Sequence, residues 1–512
     1  MVHRRKGRPD PHRRGRTPAR TLRFGLIASW AAAGLFGLSG IAAPAGAVTG
    51  SDAAVAYQGD ALHDGAQSDV LAPPLTKLWS AGFGGPTSYP VIAGAVAYVT
   101  AATNPSAYGT TLFALDLATG AVRWSAPLGG TYFWSALAYD GGRVFSLDYD
   151  GQLRAFDAAT GGSVWTTQLP GQSAFTSAPT ASNGTLYTGG AGSGGTLYAV
   201  DETTGAVKWT APVANGDESS PVVTSTAVYV SYACEQAYAF DPASGALLWH
   251  HTSSCEGGGG RTPVLAGGRL WVRDPVLGNV ELDPGTGSAV GSFAAGPAPA
   301  FSSGAGYFLS GGVLTAQSLS GGGASWTFSG DGQLDSAPLV ANGVVYEGSA
   351  SGTLFALSAL TGAVLWSGPV GAPVPAPDEQ NVSQPLTGLA IGQGTLLVPT
   401  GTGVVAFTGT PDFAMTAQPA QLRIQKNHNA TSTITLTANA FLSATVQLSV
   451  TGVPASDKAT LNPTSVVLGP SATATSVLSV TAGHTAGTLT LVVHGCAGVT
   501  CHSASVVVTV TS

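Results

Sequence analysis

Residues Thr111 to Trp124 read TLFALDLATGAVRW, and four more stretches repeat that sentence. They are QLRAFDAATGGSVW to Trp165, TLYAVDETTGAVKW to Trp209, QAYAFDPASGALLW to Trp249 and TLFALSALTGAVLW to Trp366. Weaker copies surround Gly291 and end at Trp326, and LTKLWS carries Trp79. The spacing stays near 40 residues. A unit that short cannot bury its own apolar face, so neighbouring units must stack. Each period divides into four strand-sized pieces. In SAPTASNGTLYTGG, for instance, Asn183-Gly184 separates two apolar runs, a strong hairpin signal. Four short strands per period predict an all-β chain, with the blades of a β-propeller.

Third strands are expected near residues 113, 154, 198, 238, 280, 314, 355 and 405. The last of them has no Trp strand after it, and Leu75 to Trp79 has no third strand before it. The two deficits match. The N-terminal strand is therefore expected to complete an eighth blade and close the ring, which removes exposed sheet edges.

Each repeated residue type has a structural task. Trp supplies an apolar plate between blades, and its indole N–H needs an acceptor there. Asp accepts backbone N–H groups across the Asp-x-x-Thr-Gly turn, and Gly supplies a backbone angle that other residues resist. The row Asp116, Asp157, Asp201, Asp241 and Asp283 is thus read as turn chemistry rather than catalysis.

The N-terminus reads as a targeting segment. Nine basic residues lie between Arg4 and Arg23, an apolar run follows from Phe24 to Ala43, and Ala45-Gly46-Ala47 suits a cleavage site. Residues 1–47 are expected to be a signal peptide and the product to be secreted and extracellular. Beyond Ala47, eleven basic residues face 26 acidic ones, a net charge of −15. Such an acidic chain is poorly suited to a nucleic-acid backbone, and no membrane partner is expected once the leader is cleaved.

From Pro411 the Trp, Tyr and Asp-Thr-Gly signals vanish. Alternating runs such as TSTITLTAN, ATVQLSVTG and SASVVVTVTS replace them, predicting a β-sandwich over 411–512 after a propeller over 48–410. Four cysteines form two local pairs, Cys234 with Cys255 and Cys496 with Cys501. An even count in an exported chain predicts disulfides. Cys501 and His502 would point to opposite faces of a strand, which argues against a metal site there. Asp148-Tyr149-Asp150-Gly151 resembles half a calcium loop, but a hairpin turn explains it better. His-Glu-x-x-His, Gly-x-Ser-x-Gly and P-loop patterns are missing from the sequence.

In register and spacing, the repeats resemble those of the pyrroloquinoline-quinone (PQQ) β-propellers, over residues 57 to 409. The C-terminal region, with Gly452-Val453-Pro454 and LNPTSVVLGPSATAT, resembles immunoglobulin-like modules of secreted bacterial proteins. The first resemblance implies one of two activities. Quinoprotein dehydrogenases bind PQQ and calcium, whereas scaffold members such as the outer-membrane assembly lipoproteins bind no cofactor. The dehydrogenases have adjacent cysteines over the quinone, and no two cysteines are adjacent here.

Topology nominates a ligand site. Connections from a fourth strand into the next first strand reach one face near the central channel. They contain Tyr89, Trp134, Phe175, Glu218, Arg261, Asp335 and Gln384. Tyr132-Phe133-Trp134 either stacks on a sugar ring or peptide, or packs between blades. The insert from Pro373 to Gln384, with Asp378 and Glu379, is expected over the same face. The expectation is a monomeric, non-enzymatic binding or scaffold protein for a protein or cell-wall glycan partner. The alternative is an extracellular oxidoreductase that uses PQQ and calcium.

Overall fold

The computed structural model describes residues 53–104, 106–214, 219–232, 234–253, 260–302, 304–439, 441–483 and 486–511. Residues 1–47, Glu218 and Cys255 lie outside them, and with them the expected cleavage site, the Glu218 site residue and the Cys234–Cys255 pair.

Residues 66–409 form eight sheets among the described residues. Most are four-stranded meanders in chain order, such as Ser135–Asp140, Arg143–Asp148, Gln152–Asp157 and Ser163–Gln168. One sheet is assembled from both ends of this region: Leu75–Gly82 pairs antiparallel with Gly403–Gly409.

Trp79, Trp124, Trp165, Trp209, Trp249 and Trp326 each reach the next sheet through the indole N–H. The indole N–H of Trp79 donates to Leu117 O at 2.8 Å, that of Trp165 to Glu202 O at 2.9 Å, and that of Trp249 to Pro284 O at 2.9 Å. Each ring also lies flat against the turn glycine of the neighbouring sheet. A Cβ built on Gly205, whose φ is +72°, would fall 2.6 Å from the Trp165 ring. This glycine is therefore required twice, for its backbone angle and for the close approach. The Asp residues act as expected in the turns: Asp116 Oδ1 accepts from Thr119 N and Oγ1 at 2.9 and 2.8 Å. Asp148 likewise closes a hairpin turn, accepting from Asp150 N and Gln152 N, and pairs with Arg154.

Before the first Trp strand, residues 54–69 run past the innermost hairpin of the eight sheets seen among the described residues. Ile92 N donates to Ala54 O, Tyr139 N to Val55 O, Val223 N to Ala61 O and Leu265 N to Leu62 O. Phe301 N donates to Asp64 O and Val340 N to Gly65 O, while Gly394 N reaches the Asp69 carboxylate. The His63 ring completes the set. It is fully buried, with Nδ1 2.6 Å from Tyr57 O and Nε2 2.9 Å from Pro221 O and 3.3 Å from Thr180 Oγ1. Burial pushes its pKa down, which favours the neutral ring. No periodic signal marks this segment in the chain, because its contacts are made once each.

Residues 413–511 form two further sheets around one aliphatic core that includes Ile434, Leu436, Leu478, Val493, Val506 and Val508. Alternation places these side chains inward and Thr and Ser outward. Cys496 and Cys501 face each other across a hairpin and form a disulfide.

Candidate channel-mouth site

The axis end opposite residues 54–69 is covered by residues 374–386. Pro373, Pro375 and Pro377 fix φ and lack N–H groups, so this strap stays extended without joining a sheet. Its contacts cross the ring. Val374 N donates to Ser349 O, Gln380 Nε2 to Gly260 O at 2.7 Å, and Phe133 N to Val382 O at 3.0 Å. Tyr89 N donates to Leu386 O at 2.8 Å.

A turn on Asp378 presents Glu379 inward, where the carboxylate is 3% exposed. It accepts from Thr262 N at 2.5 Å and forms an ion pair with Arg273, which is 1% exposed. Arg273 also donates to Gly296 O at 2.9 Å and Thr262 O at 3.2 Å. Burial alone pushes the Glu379 carboxyl up. The Arg273 charge and the Thr262 amide outweigh it and hold the pKa below the usual range, so the pair is ionic. Tyr57, fully buried in the N-terminal segment, lies within electrostatic reach of Glu379, Arg273 and Arg261. Burial, and then Glu379, keep its phenol protonated.

The sequence-nominated residues separate into two groups. Tyr89, Trp134 and Phe175 are 1%, 1% and 0% exposed and belong to the core. Phe175 packs against the α-carbons of Gly151 and Gly190. These three offer no surface to a ligand, and packing between blades is the role the geometry gives them, because the strap and the glycine backbones enclose their rings. Arg261 and Gln384 are half-buried and Asp335 is exposed. Arg261 is brought toward the axis, while Asp335 is brought beside Glu347.

Arg273 and Glu347 were missed. Arg273 stands two residues after the strand aromatic Trp271, where other repeats place Thr100 after Tyr98 and Ser231 after Tyr229. A charge in an otherwise uncharged repeat position was the available signal. Glu347 interrupts VVYEG in the same way. It is fully buried, accepts from Ser336 Oγ at 2.8 Å, and burial raises its pKa well above the usual carboxyl range.

The buried acid and base of the mouth are bound to each other and to the backbone, so as folded they present no free charge to a planar quinone. Among the described residues no group of three or more His, Cys, Asp or Glu is placed to hold a metal ion. No helix among them is long and apolar enough to cross a membrane.

A PQQ-repeat family model, described as outer membrane protein assembly factor BamB, matches residues 70–235, 151–294 and 233–411. The outer membrane protein assembly factor BamB of Yersinia pestis is 27% identical over 265 residues, 49% of this chain and 61% of that protein. The chain thus spans about three-fifths of that curated relative's length. Among solved structures, a europium-containing methanol dehydrogenase matches with a TM-score of 0.57 at 16% identity, covering 70% of this chain and 91% of that one. A quinohemoprotein alcohol dehydrogenase from Comamonas testosteroni matches at 0.56 and 17%, covering 70% and 81%. BamB from Moraxella catarrhalis matches at 0.51 and 17%, covering 66% and 100%. At these identities the likenesses carry the β-propeller fold alone.

Proposed function

Because the chain belongs to the PQQ-repeat family described as outer membrane protein assembly factor BamB, we propose that it is a non-enzymatic binding and scaffold protein. The reading is of a secreted monomer with residues 1–47 removed. Residues 48–410 make an eight-bladed propeller, and residues 411–512 an immunoglobulin-like module that spaces it. The partner, a protein or a cell-wall glycan, meets the strap-covered face.

One observation carries this reading. The strap is pinned across the channel mouth by the buried Arg273–Glu379 pair. That arrangement leaves the outer surface of the face, rather than the axis, for recognition. The relatives described as BamB are assembly factors, which supports a protein partner.

The second reading is an extracellular PQQ- and calcium-dependent oxidoreductase. It is favoured by the dehydrogenase structures, whose chains this fold covers to 91% and 81%. Thermal unfolding of the mature protein with and without PQQ plus calcium separates the two. A scaffold keeps its midpoint under conditions in which a known quinoprotein shifts. A saturable rise in midpoint, followed by dye reduction with alcohols or sugars, establishes the oxidoreductase instead.

A further inference from the structure

Beside the strap, four aromatic rings from three different loops meet at the surface. Tyr108 precedes the strand Thr110–Asp116, Tyr132 and Phe133 precede Ser135–Asp140, and Tyr149 lies in the turn before Gln152–Asp157. Tyr108 is centred 5.8 Å from Tyr132 and 5.2 Å from Phe133, at interplanar angles of 55° and 53°. Tyr132 meets Tyr149 edge-on at 4.6 Å. The corner is held by backbone bonds rather than by the rings alone. Gly109 N donates to Tyr132 O at 3.0 Å, Thr131 N to the Asp150 carboxylate at 2.8 Å, and Phe133 N to Val382 O of the strap. Despite this fixation Tyr108 remains 66% exposed and Tyr132 39% exposed.

We propose that Tyr108, Tyr132, Phe133 and Tyr149 form a binding site for one or two rings of a neutral carbohydrate. The proposal rests on the reading that this face of the propeller is the recognition surface. Three arguments select the ligand class. The first is size. At about 200 Å² per aromatic side chain, the exposed fractions of Tyr108 and Tyr132 leave roughly 200 Å² of ring surface. A standard protein interface needs about 800 Å² per partner, whereas a sugar ring needs only a face of this order. The second is shape. Rings set at 53° and 55° make a corner, so a sugar's C–H face can lie on one ring while its edge meets another. The third is polarity. The Asp150 carboxylate beside the corner accepts from Thr131 N and Oγ1, keeps further lone pairs for a ligand hydroxyl, and repels anions.

The test is calorimetric titration of the full mature chain with chitohexaose, cellohexaose and maltohexaose. At least one is expected to bind with a Kd of about 1 mM or tighter. Tyr108→Ala should weaken that binding by roughly tenfold, the scale of one lost aromatic contact, with an unchanged unfolding midpoint. Tyr132→Phe, which keeps the ring, should retain it. The proposal is overturned if none of the three sugars binds, or if binding survives in the Tyr108→Ala, Tyr132→Ala double variant. Capture of a protein through Tyr108 that none of the sugars competes for would also overturn it, while leaving the scaffold reading standing. A midpoint shift with PQQ and calcium would remove the scaffold reading independently of the sugar result.

Discussion

The repeats and the two segments that do not repeat hold this propeller together by different means. In the ring, six indoles donate to the next sheet and each covers one turn glycine, so those joints are local and of similar size. Residues 54–69 and 374–386 instead touch many sheets, each through a contact made once. Damage to a repeat should therefore stay within one joint, and damage to the strap should be felt on several blades. The largest expected effect follows from this difference. Arg273→Ala leaves the Glu379 carboxylate buried without its cation and should cost about 3–5 kcal/mol by urea unfolding. Replacing both, as Arg273→Met with Glu379→Leu, should recover most of that loss. An Arg273→Ala cost below about 1 kcal/mol would show that the strap is not pinned by the pair.

A joint of the ring gives the next largest effect. Gly205 and Gly184 have nearly equal angles, φ +72° and +75°, but only Gly205 faces a ring. Gly184→Ala should cost about 1 kcal/mol through its left-handed backbone. Gly205→Ala should cost a further ~1–3 kcal/mol for overpacking against Trp165. Equal costs would mean that the indole shifts freely and that the joint is looser than the contact implies.

This division also decides what could be read from the sequence. Trp at a spacing near 40, the Asp-Thr-Gly turns and Asn183-Gly184 announce the sheets because each device is repeated. The inward faces of the sandwich were legible by alternation. The collar formed by residues 54–69 was not, because single hydrogen bonds from its backbone leave no side-chain pattern. The candidate site was legible in part. The insert from Pro373 to Gln384 stood out by its length, and connection topology nominated Arg261, Asp335 and Gln384, which are half-buried or exposed. The same topology nominated Trp134, Tyr89 and Phe175, whose burial depends on glycines and strap residues distant in sequence. Tyr108 was invisible as a partner of Tyr132, since only the folded backbone brings those loops together.

Glu347 tests the ring from inside, as an ionisable group set where the repeat has none. Its folded pKa is raised by burial, so the folded protein keeps a proton that the unfolded chain releases above its ordinary carboxyl pKa. Its stabilising effect is present below that ordinary value and is lost as pH rises toward the folded value. Asp335, also raised by burial, acts in the same direction. Stability of the wild type should therefore decline with rising pH above the ordinary carboxyl range, by at most about 1.4 kcal/mol per pH unit for this one group. Glu347→Gln should flatten the decline and be the more stable protein at alkaline pH. Identical slopes for the two proteins would mean that Glu347 ionises as freely when folded as when unfolded.

The smallest effect is expected where the propeller meets the sandwich, and it separates apolar from ionic fixing. His502 Nε2 lies 2.6 Å from Asp412 Oδ1, but the two side chains are 39% and 51% exposed. Water and salt screen such a pair, which contributes about 0–1 kcal/mol. Phe441 provides a different kind of contact. Its ring packs against Gly409 and Gly394 and against the core that contains Leu75, Leu396 and Phe407. Asn439 adds directional bonds, donating to Thr410 O at 2.8 Å and accepting from Asp412 N at 3.1 Å. His502→Ala should thus lower stability by less than about 1 kcal/mol and leave the radius of gyration in X-ray scattering unchanged. An expanded radius in that variant would assign the joint to the ion pair. It would make the sandwich an arm held by the His502–Asp412 contact, rather than one wedged in place by Phe441.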